Sequence, residues 1–147
     1  MQPQPTPHRA RPRPALSPAG VFEYPVIALG GVIGSLARYG VSLWTVGVPA
    51  WLPWQTFGVN IAGALLVGLL VGLLRPYQPH PLLRPFLIVG VFGSFTTFST
   101  FGVEFWQLVR AGHAAAALAY AVLTPALGLA VFVLGHHLGH RLAGTPA

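Results

Sequence analysis

Four long apolar runs, almost free of charge, constrain this chain more than any motif does. Each approaches the roughly 20 residues at about 1.5 Å rise that cross a hydrocarbon core of ~30 Å. The first runs from about Tyr24 to Val46, the second from Trp54 to Leu74, the third from Leu82 to Val109 and the fourth from Ala114 to Leu138. Of 147 residues 54% are hydrophobic and only 7% charged, where a soluble domain carries about a quarter charged. Too few charges remain to solvate a globule, so the expected fold is an all-α integral membrane protein of four transmembrane helices.

Composition removes several functional classes. No cysteine is present, which excludes a disulfide framework, thiolate metal sites and Cys nucleophiles. The basic residues are all arginine and lie scattered between apolar runs, without the stripe that nucleic acid requires. Nucleic acid is therefore not an expected partner. Asp is absent and Ser99 has no histidine at membrane depth, so an intramembrane hydrolase, or any other enzyme, is not expected. The histidines lie in the tail, loops or helix ends; His136, His137 and His140 have helical spacing for a metal but no nearby carboxylate.

The three parts of the chain differ in composition. Residues 1–19 read as a disordered Pro/Arg-rich arm, because six prolines forbid a helix while Arg9, Arg11 and Arg13 keep it solvated. No signal peptide is expected, since the prolines separate these charges from the first apolar run. Residues 20–140 form the four-helix membrane domain and 141–147 a short tail. Trp51 and Trp54, in and beside the turn Gly47–Pro53, suit the interfacial aromatic belt. Four spans place both termini on one side. Arg9, Arg11, Arg13, Arg75, Arg84 and Arg141 then fall on that side and Arg110 on the other, a bias toward cytoplasmic termini that weakens once the distant arm is discounted.

Candidate chemistry lies inside the spans. Gly30 with Gly34, and Gly68 with Gly72, have the four-residue spacing that lets helix backbones approach closely in lipid. Asn60 sits mid-span, where a carboxamide must bond a neighbour or face a polar cavity. The third span carries the polar stretch Gly93-Ser94-Phe95-Thr96-Thr97-Phe98-Ser99-Thr100-Phe101-Gly102. A break in the helix is expected over Gly93 to Thr97. Unwound backbone at membrane depth is tolerated only beside protein or a wet cavity. Its freed carbonyls suit a small hard cation, whereas its N–H groups and the positive rims of phenyl rings suit a small anion. Phe98 and Phe101, at i and i+3, share a face with Glu104 a turn further on. Arg38 and Glu104 are the ionisable residues well inside the spans and are candidates to pair, with Arg38 alternatively an entrance charge.

Three segments in order, Gly30-Gly31-Val32-Ile33-Gly34-Ser35-Leu36-Ala37-Arg38-Tyr39, Thr56-Phe57-Gly58-Val59-Asn60, and Gly93 followed by Thr96-Thr97-Phe98-Ser99-Thr100-Phe101 and Glu104, resemble the bacterial fluoride channels, often called CrcB or Fluc. The resemblance spans about Gly30 to Gly135. It implies a multi-pass protein of the bacterial plasma (inner) membrane, working as an antiparallel dimer with two fluoride pores and exporting fluoride passively. Position by position, it implies that Asn60 donates hydrogen bonds to fluoride and that Phe98 and Phe101 offer ring edges. The hydroxyls of Thr97, Ser99 and Thr100, with Tyr120 and Thr124 of the fourth helix, would complete the pathway. The backbone carbonyls of Gly93 and Thr96 would hold a structural Na+, with no organic cofactor. Departures are Ser94 in place of a glycine, Gly128 in place of a serine, and Pro125 beside Thr124. The partner is either a second copy or an oppositely oriented paralogous subunit. A small proton-coupled multidrug exporter using Glu104 is the alternative, though it gives no reason for the broken third helix.

Overall fold

The computed structural model describes residues 18–44, 52–77 and 79–144. Most of the arm, Trp51 with most of its turn, and the end of the tail lie outside the described residues.

Helix α1 spans Pro18–Trp44 and α2 spans Trp54–Leu73. The third span is composite: α3 is a π-wound stretch, Pro85–Phe92, continued by one α turn, Gly93–Phe95, and α4 is Ser99–Arg110. Helix α5 spans Ala114–Leu142 and runs uninterrupted through Pro125. Four helical segments are long and apolar enough to cross a membrane: Phe22–Trp44, Trp54–Leu73, Pro85–Arg110 and Ala114–Leu142. Two expected boundaries move. Helix α1 starts at Pro18, ahead of Tyr24, since proline is tolerated in a helix's first turn. Helix α5 takes in His140 and Arg141, cations that complement a helix C-terminus.

The spans associate as two close pairs, α1 with α3 and α2 with α5, and α4 leans on α5. Lipid supplies no hydrophobic drive for this, so close backbone approach and dispersion must hold the helices together. The glycines make the approach possible. A Cβ on Gly68 or Gly72 would run into the carbonyl of Phe132 or His136 on α5, and one on Gly135 or Gly139 into that of Leu65 or Leu69 on α2. Gly30 and Gly34 likewise sit against the backbone of α3, where a Cβ on Gly30 would lie 2.5 Å from the Phe86 carbonyl oxygen. The packing role expected for both glycine pairs therefore holds. Helices α2 and α5 supply a small interior of Thr56, Val59, Ala117, Tyr120 and Thr124, all buried.

Candidate ion pathway at the helix break

The break falls at Thr96–Phe98, slightly later than the expected Gly93 to Thr97, because Gly93–Phe95 still completes a helical turn. The hydrogen bonds explain the displacement. Thr96 sends both its N–H (3.1 Å) and its hydroxyl (2.9 Å) to the Phe92 carbonyl oxygen, which extends the helix by one residue. The chain turns extended at Thr96, and the next N–H, that of Thr97, is captured from outside: it donates to Asn60 Oδ1 at 2.8 Å while Asn60 Nδ2 donates to the Thr97 carbonyl oxygen at 3.0 Å. One carboxamide on α2 thus satisfies both polar groups of a residue that has left the helical ladder. Thr97 then starts α4, its hydroxyl accepting the Thr100 N–H at 3.2 Å and donating to Thr100 Oγ1 at 3.0 Å. Ser99 Oγ stands 3.3 Å from the same hydroxyl.

Arg38 and Glu104 do not pair, which corrects the expectation for them. Helix α1 packs on α3, so Arg38 Nε reaches the Ser94 carbonyl oxygen at 3.3 Å, a group whose helical donor the break has removed. Glu104 lies beyond the break and faces α2 and α5. Its carboxylate accepts the Thr56 hydroxyl at 2.7 Å and the Tyr120 hydroxyl at 2.8 Å, one on each oxygen. Thr56 is a site residue that the sequence reading misses. The signal is present, since it lies four residues before Asn60 on the same face of α2.

Aromatic rings connect the exposed edge of the break to the interior. Phe98 and Phe101 have ring centroids 5.7 Å apart, and Phe101 and Tyr120 4.9 Å apart. The series starts at Phe98, 83% exposed, and ends at Tyr120, 1% exposed. One turn beyond Tyr120, the hydroxyl of Thr124 is buried with no hydrogen-bond partner. Two cavities flank this column. One, of about 470 Å³, opens at the break between Asn60, Gly63, Gly93, Thr97, Phe98 and Phe132. The other, of about 370 Å³, reaches Glu104 from the opposite end past Gln107 and His113.

The break also yields acceptors. Thr97 N–H and Thr100 N–H, the usual α-helical donors to Gly93 and Thr96, are directed to side chains instead, leaving those two carbonyls without a backbone donor outside their own helix. Oxygens of this kind fit a hard cation such as Na+. The histidines offer no comparable site. Rings of His137 and His140 stand 6.0 and 6.3 Å from that of His136, and among the described residues no group of three His, Cys, Asp or Glu is placed to hold a metal.

Four helices long and apolar enough to span a membrane, around an interrupted, hydroxyl-lined interior, define a multi-pass membrane protein. The chain belongs to the CrcB-like family, whose model, described as CrcB-like protein, Camphor Resistance (CrcB), matches residues 25–136. It is 43% identical over 126 residues to a fluoride-specific ion channel FluC of Thermus thermophilus, covering 85% of this chain and 99% of that protein. It is 43% identical over 123 residues to fluoride-specific ion channel FluC 2 of Nocardia farcinica (83% and 86% covered) and 41% over 116 residues to FluC of Paracoccus denitrificans (79% and 93%).

Proposed function

We propose that this protein is a passive, fluoride-selective channel that lets cytoplasmic fluoride leave the cell, assembled as an antiparallel dimer. The observation that carries the reading is the buried Thr124 hydroxyl without a partner, in line with Tyr120 and the ring series. A small anion leaving water needs a succession of short donors, because each step must replace lost hydration. Asn60 has one N–H beyond the bond to Thr97, Thr124 has an uncommitted hydroxyl, and Ser99 and Thr100 supply hydroxyls beside the break. Thr97 and Tyr120, by contrast, donate to Thr100 and Glu104 and must turn those protons to the anion as it passes. Phe98 and Phe101 present positive ring edges between them. Relatives named as fluoride-specific ion channels support the choice of anion.

The carbonyls of Gly93 and Thr96 fit a Na+ shared by two subunits, which would fix a positive charge beside the pathway. Arg38 caps Ser94 and Glu104 is held by two hydroxyls, so both act by positioning the break and the column. Because both Glu104 oxygens are engaged, the proton-coupled exporter reading gains nothing from the geometry. Fluoride efflux from proteoliposomes tests the proposal. Rapid fluoride release with little chloride release is expected; a folded protein releasing no fluoride, or chloride equally fast, overturns it.

A further inference from the structure

A concentration of positive charge lies away from the ion pathway, in the turn that joins α2 to α3. Arg75 follows the α2 C-cap, Arg84 precedes α3, and together with Tyr77 and His80 they line a cavity of about 390 Å³. The chain's carboxylate side chains, Glu23 and Glu104, are both elsewhere, so nothing in the lining neutralises the two guanidiniums. Arg84 uses Nη2 to hold the Leu74 carbonyl oxygen at 2.9 Å, which closes the turn and fixes the guanidinium while leaving most of its donors available. His80 Nδ1 accepts the Leu82 N–H at 3.3 Å, so the neutral ring carries its proton on Nε2 as a further donor. Pro76, Pro79 and Pro81 stiffen the loop that holds these groups.

A lining rich in donors and lacking carboxylates selects an oxyanion with several acceptor oxygens, and a pair of guanidinium forks matches phosphate geometry. Depth selects its source. The cavity lies at the ends of two spanning helices, with Tyr77 exposed at the interface, the level at which headgroup phosphates sit. We propose that this cavity binds the phosphodiester of an acidic phospholipid, tying the α2–α3 turn to the headgroup layer. The proposal does not depend on fluoride conduction, and its test reads lipid rather than ion movement.

Native mass spectrometry of the purified protein, offered phosphatidylglycerol or zwitterionic phosphatidylcholine, measures retained lipid. Wild type is expected to retain phosphatidylglycerol preferentially, and Arg75→Gln/Arg84→Gln to retain about tenfold less. Since Arg84 also closes the turn, Arg75→Gln/His80→Ala, which keeps the bond to Leu74, is the second arm and is expected to lose several-fold. Arg141→Gln, an interfacial arginine on another helix, should bind as wild type does. Equal retention of both lipids by wild type overturns the proposal. So does unchanged phosphatidylglycerol binding in the two double variants, or an equal loss in Arg141→Gln. Displacement of the lipid by inorganic phosphate alone overturns the headgroup in favour of a free-phosphate site.

Discussion

Asn60 and Thr124 have opposite relations to stability, and that contrast makes them separable. Asn60 clasps the Thr97 peptide through one donor and one acceptor. Asn60→Asp keeps the acceptor but sets a carboxylate oxygen against the Thr97 carbonyl and against any arriving anion. Losing a hydrogen bond to a charged group costs about 1.5–3 kcal/mol, so fluoride efflux should fall about tenfold or more, with a lowered unfolding temperature. Thr124 contributes no bond to the fold. Thr124→Val removes a buried hydroxyl whose desolvation costs about 1–3 kcal/mol when unmet. Thermal stability without fluoride should hold or rise while efflux drops about tenfold. Unchanged efflux in Thr124→Val would remove that hydroxyl from the pathway. Phe98→Ile, which takes away the exposed end of the ring series, should also cripple efflux, whereas His137→Ala should leave it intact.

At the level of helices, glycines divide by what they face. Gly68→Leu places a side chain against the Phe132 backbone, and overpacking of this kind costs about 1–3 kcal/mol. Thermal unfolding in detergent should register it as early loss of monodisperse protein. Gly128→Ala meets nothing of its own chain within 4 Å and should leave subunit stability unaltered. The helices and their glycine seams were legible because length, apolarity and four-residue spacing are local properties of the chain. The place of the break was only partly so: its hydroxyl-rich composition is local, but which peptide unwinds depends on Asn60, a residue from another helix. The partners of Arg38 and Glu104 were not legible for the same reason. Which carbonyl or hydroxyl lies opposite a charge follows from how α1 packs on α3 and α4 on α2 and α5.

For the whole molecule, the exposed apolar surface must meet lipid or another subunit, and Phe98 beside an opened backbone suits a subunit better than lipid. The arginine bias adds a sharper expectation. If this chain forms a homodimer of opposed subunits, accessibility labelling after expression alone should find its termini on both sides of the membrane, and crosslinking should trap a dimer. A single orientation without a dimer would exclude the homodimer and require an oppositely oriented paralogue.

The bond between Asn60 and Thr97 also bears on how the protein is made. A peptide unit with neither group satisfied costs several kcal/mol in hydrocarbon, so the third span is a poor solitary guest in the bilayer. In the folded subunit α2 carries the carboxamide that closes the gap. The order of the genetic message, which places Asn60 ahead of Thr97, delivers the clasp before the segment that needs it.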